Sequence, residues 1–86
     1  MYYVYVIQSL NSGIRYTGQT ENLTQRIRQH DNGSLGKYTK GKGPWVLIYF
    51  EMCITRSEAL KREKYLKSGA GRDFIKRHIA SDTDHI

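Results

Sequence analysis

Glu63 is the residue of this 86-residue chain whose position most needs a chemical reason. It lies three residues after Leu60, four after Ala59 and three before Leu66, inside the apolar stripe of a helix. A carboxylate on that side of a helix is costly unless a cation or a metal ion meets it. An i, i+4 pair with Lys67 is the ordinary answer, and a metal ion is the functional one. Two further sets stand out. Asn22, Arg26 and His30 fall four apart along a second helix as one polar line beside the apolar pair Leu23 and Ile27. Tyr5 and Tyr16 stand on neighbouring stretches of extended character, where they can meet across a sheet.

The elements that must position these residues follow from local pattern. Residues 2–8, rich in tyrosine and valine, read as a strand; Asn11, Ser12 and Gly13 supply turn chemistry; residues 14–17 resume a strand that stops at Gly18. Alternation puts Tyr3, Tyr5 and Ile7 on one face and Val4 and Val6 on the other. Thr20 is placed as the N-cap of the first helix, which ends near Asp31, Asn32 and Gly33. The stretch 33–44 holds glycines and lysines around Tyr38 and reads as a basic surface loop. Residues 45–51, WVLIYFE, read as a buried central strand. Thr55 to Glu58 has capping-box spacing and opens a helix that closes at Ser68 and Gly69, with Ala59, Leu60 and Leu66 inward. Gly69 to Gly71 reads as a joint, 72–80 as a last short helix with Phe74, Ile75 and Ile79 inward, and 81–86 as a frayed tail. The expected fold class is α+β, a three-stranded antiparallel sheet in the order ββαβαα, with one domain over 1–80.

Composition narrows the partner. Fourteen Lys and Arg against eight Asp and Glu give a formal charge of +6, a balance that favours nucleic acid. No apolar run reaches membrane-spanning length, and Met1 leads into a strand without a basic leader, so a cytoplasmic chain is expected. The single cysteine, Cys53, excludes an internal disulfide and any cysteine-cluster zinc site and reads as a small buried hydrophobe. His78 and His85 lack a second ligand at metal spacing and read as surface residues.

Tyr3-Val4-Tyr5, ten intervening residues and Tyr16-Thr17-Gly18 resemble the two-part signature of the GIY-YIG nuclease family. Lys37-Tyr38-Thr39 brings the chain nearest to its short stand-alone bacterial members, relatives of the excision-repair nuclease subunit and of the resolvase that cuts branched DNA. The resemblance implies that Tyr5 and Tyr16 are the motif tyrosines, Arg26 the helix arginine, His30 the residue one turn later and Glu63 the metal-binding glutamate. The chain departs from the motif at Tyr3, Val4 and Thr17, and no asparagine follows Glu63.

The implied activity is a metal-dependent endonuclease hydrolysing phosphodiester bonds in DNA, structure-selective and linked to repair or recombination. Its cofactor would be Mg²⁺ or Mn²⁺ on Glu63. Arg26 would clamp the phosphate through its planar fork. Tyr5 is placed as the water-activating base, with Tyr16 or His30 as alternative or orienting partner; a tyrosine needs nearby positive charge for that task. Lys37, Lys40 and Lys42 would follow the substrate phosphates, and Tyr38 offers a face for a base. DNA is the expected partner, single-stranded, duplex or branched, with RNA also possible. A non-catalytic nucleic-acid-binding module that keeps the fold is the second reading, and a structural protein whose charge serves solubility is the third.

Overall fold

The computed structural model describes residues 1–33 and 42–84, with side chains through residue 79. Six elements follow in the order β1 (Tyr2–Ser9), β2 (Arg15–Thr20), α1 (Leu23–Asp31), β3 (Trp45–Cys53), α2 (Arg56–Lys67) and α3 (Gly69–Asp84). The expected class and order are therefore observed. All pairing is antiparallel, and the sheet order is β2-β1-β3.

The sheet is covered on both faces, and β1 serves both. Val4 and Val6 pack with Cys53, with Ala59 and Leu66 of α2, and with Ile75 of α3. Tyr5 and Ile7 pack with Trp45 beneath Leu23 and Ile27 of α1. The period-2 alternation of β1 thus divides one strand between two thin cores.

The run beginning at Trp45 is an edge strand, not the central one, and only its ends, Trp45 and Cys53, are buried. Its uniform apolarity has another cause. Val6 pairs with Tyr49 but Ile7 pairs with Leu47, so Ile48 is an extra residue in a bulge. A bulge shifts the alternation by one. Trp45 and Leu47 consequently join the α1 core, while Tyr49 and Cys53 join the opposite one.

Other boundaries also move. Strand β2 continues past Gly18 because Tyr3 pairs with Thr20. Thr20 is therefore not the helix cap: its hydroxyl accepts from the Asn22 amide at 3.1 Å. Asn22 caps α1, its side chain accepting from the Gln25 amide at 3.1 Å. The expected cap of α2 is observed, Thr55 Oγ1 accepting from the Glu58 amide at 3.1 Å. Leu60 is largely exposed rather than inward. Helix α3 begins at Gly69 and runs to Asp84, so the three residues read as a joint form its first turn and the helix extends beyond Ala80. Gly71 is buried in that turn, and any Cβ there would strike the Tyr65 carbonyl oxygen and Leu66 Cα. Glycine here brings two helices into backbone contact.

Candidate active site

Tyr5 faces Gly18 across the β1–β2 ladder. A Cβ at Gly18 would lie 2.7 Å from the Tyr5 hydroxyl and 3.0 Å from a ring carbon of Tyr16. The absence of a side chain at Gly18 is what lets the phenol of Tyr5 extend over β2. Tyr16, opposite Ile7 and diagonal to Tyr5, brings its ring centroid to 6.4 Å from that of Tyr5.

His30 closes the group from α1. It is 2% exposed, and its Nε2 stands 2.8 Å from the Tyr5 hydroxyl, while Tyr5 is 1% exposed. The His30 ring also packs against Tyr16 at 4.8 Å and Trp45 at 6.3 Å between centroids. Its place on α1 is fixed from the next residue. Asp31 accepts the Trp45 amide at 2.6 Å, tying the end of α1 to the start of β3. An acidic residue at a helix C-terminus opposes the helix dipole, and this was the sequence signal that Asp31 needed a partner.

The electrostatics of the group follow from burial. Removal from water lowers the His30 pKa, and the Arg26 charge lowers it further against a small opposing effect of Asp31. The imidazole is accordingly neutral at neutral pH. Burial, and next Tyr16, push the Tyr5 phenol well above its ordinary value; the charge and hydrogen bonding of Arg26 pull it down, and Glu63 adds to the rise. The positive charge of Arg26 is present, as a tyrosine base requires, but burial outweighs it. Tyr5 is therefore a phenol beside a neutral imidazole, a pair along which a proton can pass.

Glu63 acts on this group from α2 through its charge. Its carboxylate is close enough to act on the Tyr5 phenol, yet Lys67 Nζ donates to its Oε2 at 2.6 Å. The i, i+4 pair with Lys67 expected for the inward carboxylate is thus observed. The side chain keeps 20% of its surface exposed, so solvent reaches it. No group of three His, Cys, Asp or Glu among the described residues forms a metal site. One hard, solvent-accessible carboxylate does fit a divalent ion that retains most of its waters.

A three-residue tie missed in the sequence supports α2. Arg62 donates from Nε and Nη2 to the two oxygens of Glu51 on β3, at 2.6 and 2.9 Å, and the Tyr49 hydroxyl donates to Glu51 Oε2 at 2.5 Å. These bonds hold the Glu51 carboxyl below its usual range. Arg62 adjoins Glu63 in sequence, so the tie anchors the turn of α2 that carries it. Lys37, Tyr38 and Lys40 lie outside the described residues; the half-buried Lys42 accepts from Ser9 Oγ at its carbonyl, at 2.6 Å.

The sequence pattern for the GIY-YIG catalytic domain matches residues 1–77. The chain belongs to the GIY-YIG family. Its similar relatives include UPF0213 proteins of Clostridium perfringens (strain 13 / Type A), 46% identical over 78% of this chain and 71% of that protein, and of Haloquadratum walsbyi, 42% identical over 78% and 74%. The solution NMR structure of the UPF0213 protein BH0048 from Bacillus halodurans shares 33% identity, covers 94% of this chain and 84% of that one, and superposes with a TM-score of 0.52. The chain is thus a short GIY-YIG protein of the UPF0213 kind. GIY-YIG is a nuclease family, which implies a nucleic-acid substrate and, in general, a divalent metal ion. No described helix is long and apolar enough to cross a membrane.

Proposed function

We propose that this GIY-YIG protein is a metal-dependent endonuclease that hydrolyses phosphodiester bonds in DNA, selects substrate by structure, and serves repair or recombination in the cytoplasm. The observation that supports this reading is the Tyr5–His30 pair, with Tyr16 packed on the imidazole and the charges of Arg26 and Glu63 acting on the phenol.

In this reading Tyr5 orients the attacking water. Its oxygen accepts the water proton as its own proton passes to the neutral Nε2 of His30, 2.8 Å away. The hydroxide formed attacks phosphorus, the bond to the 3′-oxygen breaks, and that oxygen takes a proton from solvent. Passing a proton from oxygen to nitrogen avoids a free phenolate, which burial disfavours. Arg26 holds the phosphoryl oxygens through its fork, and Tyr16 limits the orientation of both partners. Glu63 would hold Mg²⁺ or Mn²⁺, which supplies neutralisation of charge on the leaving oxygen when bound. Lys37, Tyr38, Lys40 and Lys42 complete the reading as contacts to the substrate.

A non-catalytic binding module is the second reading, and the Lys67 contact to Glu63 favours it, since that contact occupies a carboxylate oxygen the metal would need. Cleavage of labelled single-stranded, duplex and branched DNA, with Mg²⁺, Mn²⁺ or chelator, separates the two when Glu63→Ala is purified in parallel. The nuclease cuts only with metal and loses cutting in the variant while retaining binding. Salt-sensitive binding without cutting under every condition assigns the module.

A further inference from the structure

Two grooves flank the candidate active site, and they differ in chemistry. Strand β2 and helix α2 both run from one to the other. At one end Arg15 and Thr17 of β2 and Leu66 and Lys67 of α2 join Val6, Ile75 and Arg72 around a cleft of about 250 Å³ that Tyr16 also lines. At the other end Gln19 and Thr20 and, on α2, Arg56 join Tyr2, Glu21 and Arg26 around an open groove. Gly18 and Glu63 lie between these ends in sequence on the two elements, and Tyr16 lies at the first end. Arg56 and Lys67 are eleven residues apart, about 16 Å along a helix.

The second groove is lined mainly by polar groups, and its two guanidinium groups outnumber the single Glu21 carboxylate, a balance that suits a sugar–phosphate backbone. The first has a floor of Val6, Leu66 and Ile75 and a rim of Arg15, Lys67 and Arg72. Apolar floor and cationic rim together match a flat, weakly polar body attached to phosphates. A fully paired duplex cannot present that body, because its bases are stacked inside.

We propose that the Arg15–Lys67–Arg72 cleft receives one unpaired base of the DNA strand, next to the phosphate that is cut, while the Arg26–Arg56 groove holds backbone alone. Structure selectivity then has a physical origin: the protein engages a strand where a base is already out of the stack and the cost of unpairing it is absent. The inference rests on the nuclease reading for the position of the cut, but the occupancy of the cleft stands on binding.

The test is binding of the full chain, in chelator, to a duplex with a single-nucleotide bulge and to the same duplex fully paired, with 2-aminopurine as the bulged base. Wild type is expected to bind the bulged duplex at least about tenfold more tightly, and the 2-aminopurine emission to change on binding as the base leaves DNA for the cleft. Thr17→Phe, which fills the cleft from a strand position, should bring the two affinities within about twofold of each other and remove the emission change. Where that variant melts early, the exposed pair Arg15→Ala and Arg72→Ala carries the same comparison. Equal affinities in wild type, or a preference that survives both variants, overturns the inference. Cleavage is read separately with Mg²⁺ and Mn²⁺: a retained preference without cutting overturns the nuclease reading and supports the cleft.

Discussion

The hydroxyl of Tyr5 fills the space that a side chain at Gly18 would need, 2.7 Å from the position of its Cβ. The glycine that ends the family signature is thus a steric condition on the tyrosine that closes its first half. Gly18→Ala should displace the phenol from His30, with a stability loss of about 1–3 kcal/mol from overpacking. The loss should shrink when Tyr5→Phe is present, since the nearest clashing atom is then gone. Urea melts of the two single variants and the double variant measure the coupling.

Tyr5→Phe alone keeps the ring and removes the proton route. Cleavage should fall by about 10² to 10⁴, the range of a lost acid–base group, while stability falls by only about 1 kcal/mol. Circular dichroism beside single-turnover rates separates the effects. A rate within threefold of wild type would move the base role to Tyr16.

The pH dependence follows from His30. Its pKa is lowered on folding, so below the ordinary histidine value of about 6.5 the unfolded chain binds a proton before the folded chain does. Stability is therefore complete above that pH, declines as pH falls beneath it, and stops declining from this source once the folded imidazole is protonated. Cleavage should fall only at the lower pH where the folded imidazole itself takes a proton, because protonated Nε2 accepts nothing. His30→Gln should flatten this limb of the stability profile, as read by urea midpoints at successive pH values. Glu51 acts in a lower window: its carboxyl is depressed below 4.5, so its contribution is present above that value and lost as pH falls through the folded pKa.

Glu51→Gln breaks a charge-assisted, two-pronged contact and should cost about 1–2 kcal/mol, whereas Glu58→Gln on exposed α2 surface should stay within about 0.5 kcal/mol. The informative readout is metal affinity at Glu63, followed by Mn²⁺ binding. If the Glu51–Arg62 tie positions that turn of α2, Mn²⁺ binding weakens in Glu51→Gln at a temperature where the variant is fully folded, and is unchanged in Glu58→Gln.

Glu63→Ala should remove metal-dependent cleavage while shifting stability by less than about 0.5 kcal/mol, since the lost pair with Lys67 is an exposed i, i+4 contact. Lys67→Met should strengthen Mn²⁺ binding by freeing Oε2. Unchanged Mn²⁺ affinity in Lys67→Met would show that Lys67 does not compete for the carboxylate.

Much of this was legible in residue order because it depends on local periodicity. The hairpin, the inward Glu63, the His30 side of α1 and the Thr55 cap all arise from spacing within one element. The features that escaped depend on pairing between distant elements. A bulge at Ile48 leaves no mark in a run that is apolar at almost every position, so β3 looked central. Thr20 and Asn22 are both good caps, and only the length of the β1 ladder decides between them. The tie of Glu51 to Arg62 joins residues eleven apart across a turn, where no periodic rule applies.

The alternation of β1 also bears on how this protein can be altered. Tyr5 and Ile7 belong to the layer beneath α1, where the phenol and imidazole meet, whereas Val4 and Val6 belong to the layer beneath α2 and α3. Two kinds of demand are therefore interleaved, residue by residue, along a single strand. Heat tolerance can be bred into the even-numbered positions and into Ile75 with little direct contact to the reacting groups. Inserting or deleting one residue in β1 would exchange the two sets at a stroke, which makes this strand intolerant of changes in length.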